Sequence, residues 1–180
     1  MLGFTRKRVS KPTVAAVEGY CVAGGLEMAL WCDLRVASGS ATFGCFEWRF
    51  GVPPVGGGTR RLPRVVGPGR APELILTGRE PDAETAAEWG PVNRLAPAGA
   101  ALETAVELAE VIAGFPRETV GTDRAAVYDG LGETLERGLA VEGWHGSPVM
   151  ETAREGADRF AGGERRGGEG PRRRVNHMPR

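Results

Sequence analysis

Two acidic side chains, Glu27 and Glu47, stand twenty positions apart within GYCVAGGLEMALWCDLRVASGSATFGCFEWRFGVPPVGGGT, residues 19–59. The first follows the turn Ala23-Gly24-Gly25, and the second precedes the run Gly56-Gly57-Gly58. A helix opening at Gly24 presents unpaired N–H groups and a partial positive charge in its first turn. Two carboxylates near such a helix start are the parts for acid/base chemistry beside a developing negative charge. When two acids share a site their pKa values can be pushed apart, so that one accepts a proton while the other donates one. Each feature also has a plain structural alternative. Glu27 could simply favour the first turn of its helix, and Glu47 could pair with Arg49 or stand solvated. Gly24-Gly25 and Gly56-Gly57-Gly58 could be turns and nothing more.

These groups need elements to hold them. Thr13-Val14-Ala15-Ala16-Val17 is a compact β-favouring run that predicts a buried strand, closed by Glu18-Gly19. A helix follows from Gly24 to about Cys32, apolar nearly all round and so expected to be buried on most faces. Leu34 to Ala37 and Ala41 to Gly44 predict two more strands. Pro53, Pro54 and the three glycines make Gly51 to Gly58 a loop, and Thr59 is placed to cap a helix from Arg60 to Val66. Gly67-Pro68-Gly69 breaks that helix, which resumes from Arg70 to Leu76. Pro81-Asp82 starts a short helix, Ala83 to Trp89, stopped by Gly90-Pro91, and Val92 to Leu95 is a last brief strand. Apolar residues at helical spacing predict an amphipathic helix from Ala98 to Ala113. Two or three further helices are expected between Arg117 and Phe160, interrupted near Gly130, Gly143 and Gly146-Ser147-Pro148.

The chain has 180 residues with 41% hydrophobic and 26% charged content, which fits a globular domain with a real core. Its net charge of zero gives no field that argues for a nucleic-acid or membrane partner. Residues 161–180 hold six arginines against two glutamates, a net of +4, and are expected to form a disordered, solvated tail from 162 onward. The three cysteines, Cys21, Cys32 and Cys45, fit no metal or redox spacing and are expected to be reduced and buried. His145 and His177 lie outside the acidic stretch and are not expected to be ligands. No leader-like apolar run follows the N-terminal basic residues and no stretch approaches the roughly 18 apolar residues of a membrane helix, so a cytoplasmic location is expected.

Three blocks carry a resemblance: KPTVAAVEGYCVAGGLEMALWCDLRVAS, then ATFGCFEWRFGVPPVGGGTRRLPRVVG, then ELILTGREPDAETAAEWGPVNRL. In this order they resemble the crotonase, or enoyl-CoA hydratase/isomerase, family across residues 11–95. The resemblance implies an α/β fold, a spiral of ββα units with a helical C-terminal region that packs in trimers or dimers of trimers. It also implies acyl-CoA thioesters as substrates, with no other cofactor and no metal. The expected division is a partial crotonase core at 1–96, a helical assembly region at 97–161 and the basic tail at 162–180. Matched position by position, Gly24 corresponds to a backbone oxyanion-hole donor, Glu27 to the first catalytic glutamate and Glu47 to the second. Thr59, Arg61 and Leu62 match the small helix after the glycine turn. Ala23, Gly25 and Val55 are the expected substrate-binding neighbours. The family usually has proline before the second glutamate; Phe46 stands there in this chain.

For a hydratase, the pair would take a proton from water as it adds to C3 of a 2-enoyl thioester and deliver a proton to C2. A positioned amide donor is typically worth about 10²–10³ in rate and positioned acid/base groups roughly 10²–10⁴. Isomerases of the family typically keep the second glutamate and lose the first, and dienoyl isomerases have an aspartate where this chain has Val55. Hydratase is therefore the first expectation, with an enoyl-CoA isomerase as an alternative. The family's N-terminal segment, which supplies the other oxyanion donor and most CoA contacts, is expected to be missing here. That leaves a further alternative, a catalytically dead homologue acting only as an assembly partner.

Overall fold

The structure is a computed structural model that describes residues 3–163. The described residues fall into two compact units, one ending at Ala109 and the other beginning at Glu110. In the first unit, five strands and four helices alternate: β1 (Val14–Val17), β2 (Tyr20–Val22), α1 (Gly24–Trp31), β3 (Leu34–Ser38), β4 (Thr42–Gly44), α2 (Gly58–Thr77), α3 (Ala83–Trp89), β5 (Arg94–Ala96) and the start of α4 (Ala101–Ala113). Two short 3-10 turns, Gly3–Arg6 and Glu47–Phe50, complete it.

The strands sort into two parallel sheets, one in the order β1-β3-β5 and the other β2-β4. Each strand–strand pair in sequence thus gives its first member to one sheet and its second to the other. Both crossovers carry the same register logic: Val14 lies beside Leu34 in the first sheet, and Tyr20 beside Thr42 in the second. Thr13 and Asp33 lock the start of the first pair, because the Asp33 carboxylate accepts both the Thr13 N–H (2.7 Å) and its hydroxyl (2.9 Å). Val36 and Ala37 at the centre are fully buried, with Leu30, Phe43 and Leu62 in the core around them.

Several expected elements hold and several shift. The break in α2 falls at Gly67, whose φ of 85° and ψ of 163° leave the helical region. Helix α3 starts and stops where its Asp82 cap and Gly90 predict; the Asp82 carboxylate accepts the Thr85 N–H at 2.8 Å, which lowers its pKa. Thr59, by contrast, is not the cap of α2, which begins one residue earlier at Gly58 with Gly57 (φ 112°) before it. The strand expected at Val92 begins only at Arg94, and the helix expected at Ala98 begins at Ala101. Strand β2 and both 3-10 turns were not expected, since three or four residues carry too little periodicity to announce themselves. Helix α1 is buried at Leu26, Ala29 and Leu30 but leaves Met28 exposed.

The second unit holds α5 (Arg117–Gly130), α6 (Leu135–Gly146), a 3-10 turn Ser147–Val149 and α7 (Met150–Ala161). Gly130 ends α5 as expected, but Gly143 lies inside α6 and interrupts nothing. One glycine costs a helix only about 1 kcal/mol, which packing readily overrides. Helices α5 and α6 approach closely where Gly130 meets Gly138. The His145 ring is paired with Asp129 at 2.9 Å. No helix among the described residues is long and apolar enough to cross a membrane. Residues 164–180, with the basic tail and His177, lie outside the described residues.

Candidate active site

Helix α1 begins from a strained residue. Ala23 has φ 48° and ψ −127°, a positive φ found at no other non-glycine residue described. Its N–H donates to the Gly44 carbonyl at 3.2 Å, so the end of β4 holds the turn, and its carbonyl accepts the Glu27 N–H at 3.1 Å. No side chain caps the helix. By helix geometry the amides of Gly24, Gly25 and Leu26 therefore have no carbonyl one turn back. Gly25 is exposed, with open space where a Cβ would stand. Ala23→Gly is expected to release about 1–2 kcal/mol of strain and to lose about 0.4–1 kcal/mol through a more flexible unfolded chain. A denaturant midpoint equal to or slightly above wild type checks this, and Ala23→Val should lower it.

Glu27 is buried, with 5% of its surface exposed. Its Oε1 accepts N–H groups from Gly56 at 2.7 Å and from Gly58 at 2.8 Å. The carboxylate thus sits at the N-terminus of α2, where helix geometry leaves donors unpaired and favours negative charge. The helix start that Glu27 serves structurally is not that of its own helix. Gly58 makes the approach possible, because a Cβ there would lie 3.1 Å from Oε1 and 3.2 Å from Cγ of Glu27. The surrounding loop is stapled by Arg61, which donates to the Gly56 carbonyl at 3.0 Å and to the Thr5 carbonyl. Arg6 reaches the Val55 carbonyl at 3.4 Å, and the Val55 side chain is exposed.

Glu47 opens the 3-10 turn Glu47–Phe50, which Gly51 (φ 70°) closes, and its carbonyl accepts the Val52 N–H at 3.1 Å. Its Oε2 is buried with no hydrogen-bond partner. Arg49, the partner that Glu47 would need for a plain ion pair, instead reaches Glu80 at 4.0 Å. A buried carboxylate oxygen left unmatched calls for a hydrogen-bond donor from elsewhere.

Cys45, which sequence reasoning had not counted in the site, feels the charge of both acids. Its thiol is pushed up to about 12, first by burial and then by the charges of Glu47 and Glu27. Both carboxylates therefore act on the one sulfur. The only signal in the sequence was the Cys45-x-Glu47 spacing. Cys21 is also pushed up to about 12 by burial, against an opposing effect of Arg35; Cys32, expected to be buried, is only half-buried at the end of α1, and burial raises its pKa as well.

Raised thiol pKa values fix the sign of an alkaline response. Below pH 9 the thiols of Cys21 and Cys45 are protonated in both folded and unfolded chains. Between pH 9 and about 12 the unfolded chain binds fewer protons, so stability falls as pH rises through that window. Chemical denaturation at stepped pH measures this. Because the thiolate is the nucleophile, native Cys21 and Cys45 should resist iodoacetamide near about pH 8 and react once unfolded. Rapid native labelling of Cys45, read by mass spectrometry, would contradict the burial described.

Among the described residues no group of three or more His, Cys, Asp or Glu could hold a metal. The arrangement offers unpaired amides at the start of α1, a carboxylate anchored on the start of α2 and a second carboxylate with a buried open oxygen. Amide donors of this kind can stabilise an oxyanion, and carboxylates can move protons.

The profile of the family described as Enoyl-CoA hydratase/isomerase matches residues 6–167. The chain is 43% identical over 134 residues to a probable mitochondrial enoyl-CoA hydratase of Arabidopsis thaliana, covering 74% of this chain and 44% of that one. It is 46% identical over 130 residues to a mevalonyl-coenzyme A hydratase of Aspergillus fumigatus, covering 72% and 48% respectively. A solved enoyl-CoA hydratase of Mycobacterium marinum superposes with a TM-score of 0.84 at 40% identity, over 89% of this chain and 65% of that one. The chain spans about half the length of the curated relatives it matches.

Proposed function

The chain belongs to the enoyl-CoA hydratase/isomerase family, with that family's α/β fold, and from this premise we propose that it is a hydratase-type lyase acting on 2-enoyl-CoA thioesters. The observation that supports the proposal is a second acid, Glu47, whose buried Oε2 has no hydrogen-bond partner, in addition to a Glu27 held on the start of α2. In the proposed reaction the thioester oxygen lies at the Gly24 amide, beside Ala23, Gly25 and Val55. As water adds to C3, one carboxylate takes its proton; the carbon–carbon double bond becomes an enolate whose charge rests on that oxygen. The other acid then protonates C2, which restores the thioester and completes the addition of one water. Which acid holds which role belongs to the coupled pair. Loss of the 2-enoyl thioester absorbance on adding the purified protein tests the proposal.

A second reading has its own support. With Oε1 of Glu27 tied to two amides, Glu27 could be purely structural and Glu47 the single base of an enoyl-CoA isomerase. Conversion of a 3-enoyl to a 2-enoyl thioester without hydration would favour it.

Assembly as a homotrimer or dimer of trimers is part of the same proposal. It is supported by α5, α6 and α7, none of which has a buried residue, and by exposed Leu135 and Trp144 on α6. Sedimentation equilibrium measures it. A cytoplasmic location is likewise proposed; the Arabidopsis relative is named as mitochondrial, and cell fractionation decides.

A further inference from the structure

We infer that Arg49 is a positioning residue for Glu47, holding the turn that presents its carboxylate by clamping the two aromatic rings on either side of it. The inference rests on Glu47 being one of the proposed acid/base groups. Oε2 of Glu47 has no hydrogen-bond partner, so that oxygen is not fixed by a bond of its own. The turn that carries it is only four residues long and is capped by no side chain. Short 3-10 turns are held poorly by their own hydrogen bonds. Support must come from the neighbours.

Arg49 supplies that support. Its guanidinium lies over the Phe46 ring at 4.9 Å and the Trp48 ring at 6.0 Å, so both residues flanking Glu47 are engaged by one cation. The Phe46 ring folds back over Gly44, where a Cβ would collide with it. Phe46 thus meets both the end of β4 and Arg49. Phe46 has φ −111° and ψ −10°, with no ring to lock its φ, and these two contacts restrain it noncovalently. The far end of Arg49 is anchored as well: Nη2 lies 4.0 Å from Glu80, and a Cβ on Gly78 would stand 3.1 Å from it. The same 78–82 segment is joined to β4, since the Phe43 N–H donates to the Pro81 carbonyl at 3.0 Å. Arg49 therefore ties the Glu47 turn to a segment already fixed to the sheet.

The test uses the full chain as wild type, Arg49→Gln, Arg49→Lys, Glu47→Gln and the Arg49→Gln/Glu47→Gln double variant. Misplacing a reacting group by about 1 Å can cost about 10²-fold. For Arg49→Gln the expected result is a kcat for 2-enoyl thioester hydration about 10- to 100-fold lower, with KM within about twofold. Arg49→Lys keeps a cation over the rings and is expected to recover most of the loss. In the Glu47→Gln background Arg49→Gln should cost nothing further, because the two act as one unit. Hydrogen exchange at the amides of Arg49, Gly51 and Val52, which close the turn, should quicken about tenfold in Arg49→Gln. Unchanged exchange overturns the inference, as does a loss of kcat that lysine does not recover or that persists without Glu47. If wild type shows no hydration, the hydratase proposal fails, and the exchange measurement alone decides the role of Arg49.

Discussion

Glu27→Gln is expected to lower hydration of a 2-enoyl thioester by about 10²- to 10⁴-fold while leaving the fold intact. The two halves of that expectation come from different oxygen atoms. A glutamine still presents an acceptor to the Gly56 and Gly58 amides, which hold Oε1 at 2.7 and 2.8 Å. It cannot take or give the proton. Glu27→Ala removes both functions, leaving two buried donors unpaired at about 1–3 kcal/mol each, so it should unfold markedly earlier. The comparison of urea midpoints with rates therefore separates chemistry from support. Under the isomerase reading, Glu27→Gln would retain activity on a 3-enoyl thioester, whereas Glu47→Gln would lower activity by about 10²- to 10⁴-fold, to a measurable residue, under either reading. A glutamine variant that hydrates at the wild-type rate would remove Glu27 from the reaction.

A large stability effect is also expected at Arg35. The residue is 6% exposed, and its guanidinium gathers two carbonyls from the end of α1 and one from Pro91, far along the chain. Nε donates to Pro91, while Nη1 donates to Cys32 at 2.8 Å and to Ala29 at 3.4 Å. Two of these carbonyls lie in the last turn of α1 and its cap, where a cation is favoured by the helix dipole. The Arg35 N–H also donates to Oδ1 of the Asn93 side chain at 2.8 Å, and the Asn93 N–H donates back to the Arg35 carbonyl at 2.9 Å. Arg35→Met keeps the stem and removes the fork, and should cost about 2–4 kcal/mol, from buried acceptors left unmatched. In urea this appears as a lower midpoint at unchanged slope. Arg35→Lys should rescue little, because one ammonium cannot reach carbonyls spread around a planar fork. The loss would loosen the C-terminus of the helix whose first turn forms the site. A midpoint within about 0.5 kcal/mol of wild type would show that the carbonyls find other partners.

Where local chemistry was strong, the sequence was readable. The Val14–Val17 strand, the helix after Ala23-Gly24-Gly25, the break at Gly67 and the α3 helix between Asp82 and Gly90 all follow from residues acting within a few positions of themselves. The same holds for the acids, whose presence near glycine-rich turns is visible in the chain. Strand β2 was not readable, since three residues become a strand only by lying beside Thr42–Gly44. Nor was the start of α4, which is set by Glu18: its carboxylate accepts the Gly99 and Ala101 amides at 3.1 and 2.6 Å, across more than eighty positions.

The sequence by itself determined which residue types stand where: two carboxylates, a helix that opens on glycines, a second glycine turn, and the ordered blocks that mark the family. Tertiary structure decided what those residues touch. Glu27 meets the start of α2 rather than serving α1, Cys45 falls under the charge of both acids, and Arg49 turns to the rings beside Glu47 and to Glu80. The physical reason is range. Backbone propensity, capping and turn chemistry act over one or two turns and are written into adjacent letters. A buried carboxylate or thiol takes its properties from whatever packing brings within a few ångströms, however far away along the chain.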